Sequence, residues 1–294
     1  MDWKSRRIEA ILEQALVEDK ATSDVTTAVT IDPGLRASAT IVAKQDCVIS
    51  GLGCIPRFLE IFARLDKRSH GRYEVVHHPE IFDGVRVTKG HAVAVIRHNA
   101  NVILACERVI LNLMQRMSGI STMTRQYVDA VAGTGARILD TRKTIPGLRL
   151  LDKYAVRCGG GENHRLDLSD GILIKNNHIS LGGGIEKVLK RAHELRKPGQ
   201  TIDIEVRTFA ELEKALDHGA ESLLLDNMTP AEVKKAVSIV RERGLKIPIE
   251  ASGGITIENI RKYGLAGVDY ISVGALTHSA VAVDLSMKIT AEIY

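Results

Sequence analysis

After Gly135 the chain settles into one repeated grammar: a short apolar run, a polar loop and an amphipathic stretch. This repetition limits the possible folds more than any other feature. The apolar runs cover residues 137–141, 171–175, 201–206, 222–226, 248–251 and 268–273. Helical spacing fills most of the intervals, at residues 185–195, 209–218, 230–242, 257–263 and 283–293. Apolar strands alternating with helices imply a parallel sheet with right-handed crossovers. Six such units suit either a doubly wound sheet or a (β/α) barrel.

The ends of the runs separate the two. Each run is apolar inside yet finishes on a residue that can bind or react: Asp140 with Arg142 and Lys143, then Lys175, Glu205, Asp226, Glu250 with Ser252, and Ser272 with Gly274. A doubly wound sheet concentrates its ligand contacts at one switch point. Contributions from every strand converge only when the sheet closes, and the site then lies at the C-terminal face of a barrel. The barrel is therefore expected.

The first hundred residues read differently. Ile8, Ile11, Leu12, Leu16 and Val17 recur at helical spacing, and short β-like runs follow at residues 37–43, 47–50, 73–77, 85–87 and 91–96. Residues 101–132 read as one long helix, with Ser118-Gly119 as the place where it kinks or breaks. The expected fold class is α/β: an N-terminal α/β sandwich-like domain over residues 1–112, then a barrel catalytic domain over residues 113–282. A last helix near residues 283–294 is expected to pack back on the first domain.

Composition removes other classes. With 45% hydrophobic and 26% charged residues in 294, the chain is not expected to be disordered. No apolar run approaches a membrane span. The opening Met1-Asp2-Trp3-Lys4-Ser5-Arg6-Arg7 leads into a charged amphipathic stretch, so no signal peptide is expected. The four cysteines, Cys47, Cys54, Cys106 and Cys158, are scattered without a C-x-x-C pair, which suits a reducing cytoplasm. A net charge of +4 with 4% aromatic residues gives nucleic acid little to bind.

Placement of charge is more informative than its total. Arg142, Lys143, Arg165 and Lys175 fall at converging strand ends, where self-repulsion is costly unless a polyanionic ligand offsets it. Arg forks suit carboxylates and Lys suits phosphate. Glu205 and Asp226 close apolar strands, where an unpaired carboxylate is costly. Either they neutralise the cations, or they hold ribose hydroxyls and a hard Mg²⁺, and neighbouring phosphate loops favour the second. Those loops are Ser252-Gly253-Gly254-Ile255, with Thr256 as N-cap of the next helix, and Gly274-Ala275-Leu276-Thr277. Small residues there let backbone N–H groups approach a phosphate. No Walker sequence, complete dinucleotide fingerprint or nucleophilic triad is found, and Cys158, His77, His78 and His193 read as structural.

These motifs resemble a known family. Thr141-Arg142-Lys143-Thr144 with Pro146-Gly147-Leu148-Arg149, Gly159-Gly160-Gly161-x-Asn163-His164-Arg165 and Ile174-Lys175-x-Asn177-His178 are similar to the quinolinate phosphoribosyltransferases. Glu205-Val206, Leu225-Asp226-Asn227-Met228, residues 250–255 and residues 272–278 continue the likeness in order. Asp24-Val25-Thr26-Thr27, Glu107-Arg108-x-x-Leu111-Asn112 and residues 118–122 extend it upstream. The resemblance implies that the barrel is incomplete and the chain a homodimer or higher. It also implies a reaction of quinolinate with phosphoribosyl pyrophosphate, with Mg²⁺ and no organic cofactor. The products are nicotinate mononucleotide, pyrophosphate and CO₂, in NAD biosynthesis.

By the same resemblance, Thr141, Arg142, Lys143, His164, Arg165 and Lys175 would hold quinolinate, completed by Arg108 from a neighbouring subunit. Lys143, Lys175, Glu205 and Asp226 would be catalytic and would face the phosphoribosyl donor, with Glu205 and Asp226 also holding the metal. Ser252, Gly253, Gly254, Val273, Gly274, Ala275 and His278 would hold its 5′-phosphate. Asn176 and Ile145 depart from the residues the family often has there, an acid and a Thr. The alternatives are a related phosphoribosyltransferase acting on another aromatic acid, and a non-catalytic binder of phosphosugars.

Overall fold

Helix α1 (Arg6–Glu18) turns Ile8, Leu12 and Leu16 to one side and buries them, as their spacing predicts. A computed structural model describes residues 1–66 and 71–292 of the chain. Asp24 caps the short helix α2 (Val25–Thr30) by accepting from the Thr27 N–H at 3.0 Å. Then come β1 (Arg36–Ala43), β2 (Cys47–Val48), α3 (Cys54–Leu65), β3 (Glu74–Val76), β4 (Arg86–Val87), β5 (Ala92–Asn99) and the 31-residue helix α4 (Ala100–Ala130). In β1 every second residue is buried: Ala37, Ala39, Ile41 and Ala43. Helix α3 was not read from the sequence, although Ile55, Phe58, Leu59 and Phe62 fall at helical spacing and all are buried. It packs against α1 across an ion pair between Arg57 and Glu9 at 3.1 Å.

The expected break at Ser118-Gly119 does not occur, and α4 runs through it. Gly119 serves a different purpose. A Cβ built there would overlap the carbonyl oxygen of Val281 and come within 3.0 Å of its carbonyl carbon. The glycine permits a backbone crossing.

Strand β6 (Arg137–Leu139) opens the parallel sheet, and α5 (Arg149–Cys158) follows it. Next come β7 (Ile172–Ile174), α6 (Asn176–Leu181), α7 (Ile185–Leu195), β8 (Ile202–Val206), α8 (Phe209–Asp217), β9 (Ser222–Asp226) and α9 (Pro230–Glu242). The series ends with β10 (Ile249–Ser252), α10 (Ile260–Leu265), β11 (Tyr270–Ser272), α11 (Ala275–His278) and β12 (Leu285–Ala291). The chain divides into two compact units, one of residues 1–123, 144–160 and 279–294, the other of residues 124–143 and 161–278.

In the first unit, β12, β1, β5 and β3 form one antiparallel sheet in that order. The helix expected near residues 283–294 is thus corrected to a strand, with Ile293 outside the described residues. Leu285, Met287 and Ile289 alternate with polar neighbours, and pairing of Ala43 with Leu285 through Ala37 with Ala291 completes the edge of β1. Helix α5 belongs to the first unit too. Its Asp152 accepts both forks of Arg116, at 3.0 and 2.8 Å, and its Ala155 carbonyl accepts from Ser121 Oγ at 2.7 Å.

In the second unit the hydrogen-bonded order is β6-β11-β10-β9-β8-β7, all parallel. From β8 onward each strand lies beside its predecessor, and β11 lies beside β6. Residues from around the sheet line one open cavity of about 430 Å³, among them Leu139, Gly171, Asp203, Ser222, Glu250 and Tyr270. A flat sheet cannot do this, so the sheet curls into a barrel. Closure is incomplete between β6 and β7, where Glu162 covers the edge of β6. Its N–H donates to Ile138 O at 2.8 Å, and its carbonyl accepts from Asp140 N at 3.1 Å.

Candidate active site

Period-two geometry sorts the barrel residues into two faces. The outward face carries Ile202, Ile204, Val206, Leu223, Leu225, Ile249, Ala251, Ile271 and Val273, all buried. The parallel registers place the other set on the inward face. Leu173 pairs with Asp203, Asp203 with Ser222, Glu205 with Leu224, Asp226 with Ser252, Glu250 with Tyr270, and Ser272 with Leu139. Continuing each strand by one step brings Thr141, Lys175, Arg207 and Gly274 to the same face. Lys175, Glu205, Asp226, Ser252 and Gly274, among the strand ends singled out in the sequence, therefore share the inward face toward the C-terminal mouth.

A first group surrounds Asp140, which is fully buried. It accepts from the His164 N–H at 2.9 Å and from Asn163 Nδ2 at 2.6 Å, fixing the loop that carries His164 and Arg165. His164 Nε2 lies 3.4 Å from Glu250 Oε2. Burial, and next the charge of Arg142, lower the Arg165 pKa, so the two guanidiniums share one region. Burial holds Asp203 above the ordinary carboxylate range, while the Ser222 hydroxyl, His164 and Arg165 pull it back.

The second group centres on Glu205, which is 6% exposed. Its Oε1 accepts from Asn176 Nδ2 at 2.9 Å and from Arg207 Nη2 at 3.3 Å. Asp226 Oδ2 accepts from Arg207 Nε and from Asn227 Nδ2, both at 2.9 Å. Burial and the negative charge of Asp226 raise the Glu205 pKa, while Lys175 and Arg207 oppose the shift. Asn176 thus touches a candidate catalytic carboxylate, and as an amide it donates to it.

The third group lies at the glycine loops. Gly253 and Gly254 both have positive φ, +92° and +62°. A Cβ on Gly253 would come within 2.9 Å of the Asn227 backbone nitrogen, so only glycine permits this approach. Asn227 itself is left-handed, at φ 57°, and its N–H donates to Ser252 O at 2.8 Å. At the other loop, Lys143 Cδ and His278 Nε2 each lie 3.2 Å from where a Gly274 Cβ would stand. Thr277 Oγ1 donates to the Lys143 carbonyl at 2.8 Å, and Thr141 Oγ1 accepts from the Lys143 N–H at 3.1 Å. Val273 is buried and Ala275 begins α11. Thr256 does not cap a helix as expected. Its N–H donates to Asn259 Oδ1 at 2.8 Å in a turn, and α10 starts at Ile260.

Arg108 belongs to the first unit. It is exposed on α4 and lines a groove of about 760 Å³ formed within the first unit by α1, α4 and residues 145–148. Cys158 ends α5 in the first unit, and burial raises its pKa, as suits a packing thiol. Among the described residues, no group of three or more His, Cys, Asp or Glu is placed to hold a metal ion. Nor is any described helix long and apolar enough to cross a membrane. Asp203 and Arg207 were not singled out in the sequence. Asp203 could have been, standing two residues before Glu205 on the same strand face; Arg207 reads as an ordinary loop cation until β9 is placed beside it.

Comparison with known proteins agrees with this fold. Residues 24–118 match the family model for the quinolinate phosphoribosyl transferase N-terminal domain, and residues 120–288 match that for its C-terminal domain. The chain is 39% identical to the probable nicotinate-nucleotide pyrophosphorylase (carboxylating) of Bacillus subtilis, over 97% of this chain and 94% of that one. It is also 39% identical to quinolinate phosphoribosyltransferase (decarboxylating) 2a, mitochondrial, of Nicotiana tabacum, over 97% of this chain and 83% of that one. The crystal structure of NadC from Streptococcus pyogenes superposes with a TM-score of 0.90 at 35% identity, covering 100% of both chains. The chain, in sequence and in fold, belongs to the quinolinate phosphoribosyltransferase family.

Proposed function

We propose that the chain transfers the phosphoribosyl group of phosphoribosyl pyrophosphate to quinolinate with decarboxylation, in NAD biosynthesis. The observation that carries this reading is the inward face. It sets the Glu205–Asp226 carboxylates among Lys175, Ser252 and the Gly274 loop on one face of one barrel. Such a site offers separate partners for a ribose, a phosphate and a dicarboxylate.

Arg142, His164, Arg165, Lys175 and Thr141 grip the quinolinate carboxylates, with Asp140 and Asn163 fixing the loop that carries two of them. Glycine backbone at Ser252–Gly254 and Val273–Ala275, with His278, receives the 5′-phosphate. Lys143 and Lys175 face the departing pyrophosphate. As the C1′–oxygen bond breaks, its electron pair leaves with pyrophosphate, and the carboxylates of Glu205 and Asp226 stabilise the positive ribosyl centre. The pyridine nitrogen donates its lone pair to C1′ and becomes cationic. It then stabilises the electron pair left on C2 when CO₂ departs, and a proton from water fills that position.

Glu205 and Asp226 present oxygen ligands only, and burial, then the charge of Asp226, raise the Glu205 pKa. These two residues would hold Mg²⁺, a hard ion that suits few carboxylates beside substrate phosphates. When bound, the ion supplies charge stabilisation to the pyrophosphate.

The working unit on this reading is a homodimer or higher, with Arg108 of one subunit completing the quinolinate site of the next. The cytoplasm is its place, in keeping with free thiols at Cys47, Cys54, Cys106 and Cys158. Incubation with both substrates and Mg²⁺ tests the reaction: CO₂ and nicotinate mononucleotide should form together. A phosphosugar-binding protein without catalysis would give neither.

A further inference from the structure

The two carboxylates assigned to the ribose and its metal ion do not face each other across empty space. Arg207 follows β8 directly and stands two residues beyond Glu205 on the inward face. Its guanidinium spans to β9, with Nε 2.9 Å from Asp226 Oδ2 and Nη2 3.3 Å from Glu205 Oε1. The Arg207 side chain is 52% exposed, whereas those of Glu205 and Asp226 are 8% and 14% exposed. The cation thus covers the pair from the solvent side.

Two features let that side chain leave without disturbing the strand. The Arg207 backbone is anchored independently, its N–H donating to Glu211 Oε2 at 2.7 Å while Thr208 caps α8. Each carboxylate also keeps a neutral donor on the same oxygen, Asn176 Nδ2 on Glu205 and Asn227 Nδ2 on Asp226. Removing the guanidinium leaves both carboxylates oriented. A divalent cation or ribose diol that engages Glu205 Oε1 and Asp226 Oδ2 together takes the guanidinium's place.

We propose that Arg207 is a resident placeholder cation, which neutralises the Glu205–Asp226 pair in the empty site and is displaced when the phosphoribosyl donor and its divalent cation bind. The inference rests on the assignment of that pair to the donor. Its consequence is an order of events: a divalent ion alone competes poorly with a tethered guanidinium. A donor brings pyrophosphate, to which the displaced fork can pair instead. Metal binding thereby becomes coupled to donor binding, and the barrel mouth does not load with free metal.

The test uses Mn²⁺ as a paramagnetic probe in place of Mg²⁺, titrated into the full chain without substrates and read by electron paramagnetic resonance. Arg207→Gln should bind Mn²⁺ at least tenfold more tightly than the unaltered chain, and Arg207→Gln with Asp226→Asn should lose that gain. Unchanged or weaker Mn²⁺ binding by a folded Arg207→Gln chain would overturn the inference. Should that variant fail to fold, Arg207→Lys serves: it keeps the charge but loses the fork. It should bind Mn²⁺ a few-fold more tightly, and no gain overturns the inference equally. Calorimetric titration of Asp226→Asn alone with phosphoribosyl pyrophosphate and Mg²⁺ separates the two readings. Undiminished donor binding there removes the donor assignment, whereas the Mn²⁺ comparison judges Arg207.

Discussion

Gly119→Ala is a perturbation whose sign is decided by the structure. In a helix interior, Ala is favoured over Gly by about 1 kcal/mol, so at an ordinary position the substitution stabilises. At Gly119 the added methyl overlaps the Val281 carbonyl oxygen and meets the Val281 carbonyl carbon and Ala282 Cα at 3.0 and 3.1 Å. All three are backbone atoms, which cannot swing away as a flexible side chain would. The Val283 N–H is tied to Gln115 O at 3.1 Å, and β12 begins two residues later in fixed register with β1. A shift at residues 281–282 therefore strains both anchors. Overpacking of this kind costs about 1–3 kcal/mol, and more where backbone must move. Net of the helix gain, a loss of about 1–2 kcal/mol is expected, or a Tm lower by about 2–8 °C. Calorimetry or urea unfolding measures it. A higher Tm would refute the close-crossing argument and return Gly119 to the role of a helix weakener.

Further outcomes follow from the site. Asp226→Asn and Arg142→Ala should each lower turnover about a hundredfold or more, with circular dichroism unchanged; near-normal rates would reject their roles. Burial and Asp226 hold Glu205 protonated to higher pH than a free glutamate. Its ionised form is the useful one, so kcat/KM for phosphoribosyl pyrophosphate should fall on acidification, starting above the usual carboxylate range. Glu205→Gln should abolish that limb, and an unchanged acid limb would show that another group sets it. Asp152→Ala removes a fully buried carboxylate that takes both forks of Arg116, and should cost about 3 kcal/mol in urea unfolding. Mixing inactive Arg108→Ala with inactive Asp226→Asn should restore part of the activity if sites are completed across subunits, and no recovery would place Arg108 elsewhere.

How much of this was legible in the sequence depended on whether a signal was local. Strand β9 and helices α7 and α9 fell where their periods placed them. Helix α9 carries its own start signal: Thr229 and Glu232 cap each other's backbone, and Pro230 stands in the first turn. The polar strand ends were visible too, because a charged residue closing an apolar run stands out. Helix α3 was missed although its spacing was sound, since Gly51-Leu52-Gly53 before it reads as a strand turn. The last segment was read as a helix because its apolar residues satisfy a loose helical pattern. Pairing with β1, a partner more than two hundred residues away, made the period-two alternation decisive. Gly119 was read as a weakness because the carbonyl it admits arrives from residue 281. Arg207 could not be distinguished from a solvated charge, since its meaning lies in the distance to Asp226 on the next strand.

The central claim is the reaction itself, and one measurement tests it most directly. The chain is supplied with Mg²⁺, phosphoribosyl pyrophosphate and quinolinate labelled in the carboxylate next to the ring nitrogen, and labelled CO₂ is counted against nicotinate mononucleotide. Both products should form in equal amounts, and neither when nicotinate replaces quinolinate. Product from nicotinate, or nucleotide formed without release of labelled CO₂, would contradict it.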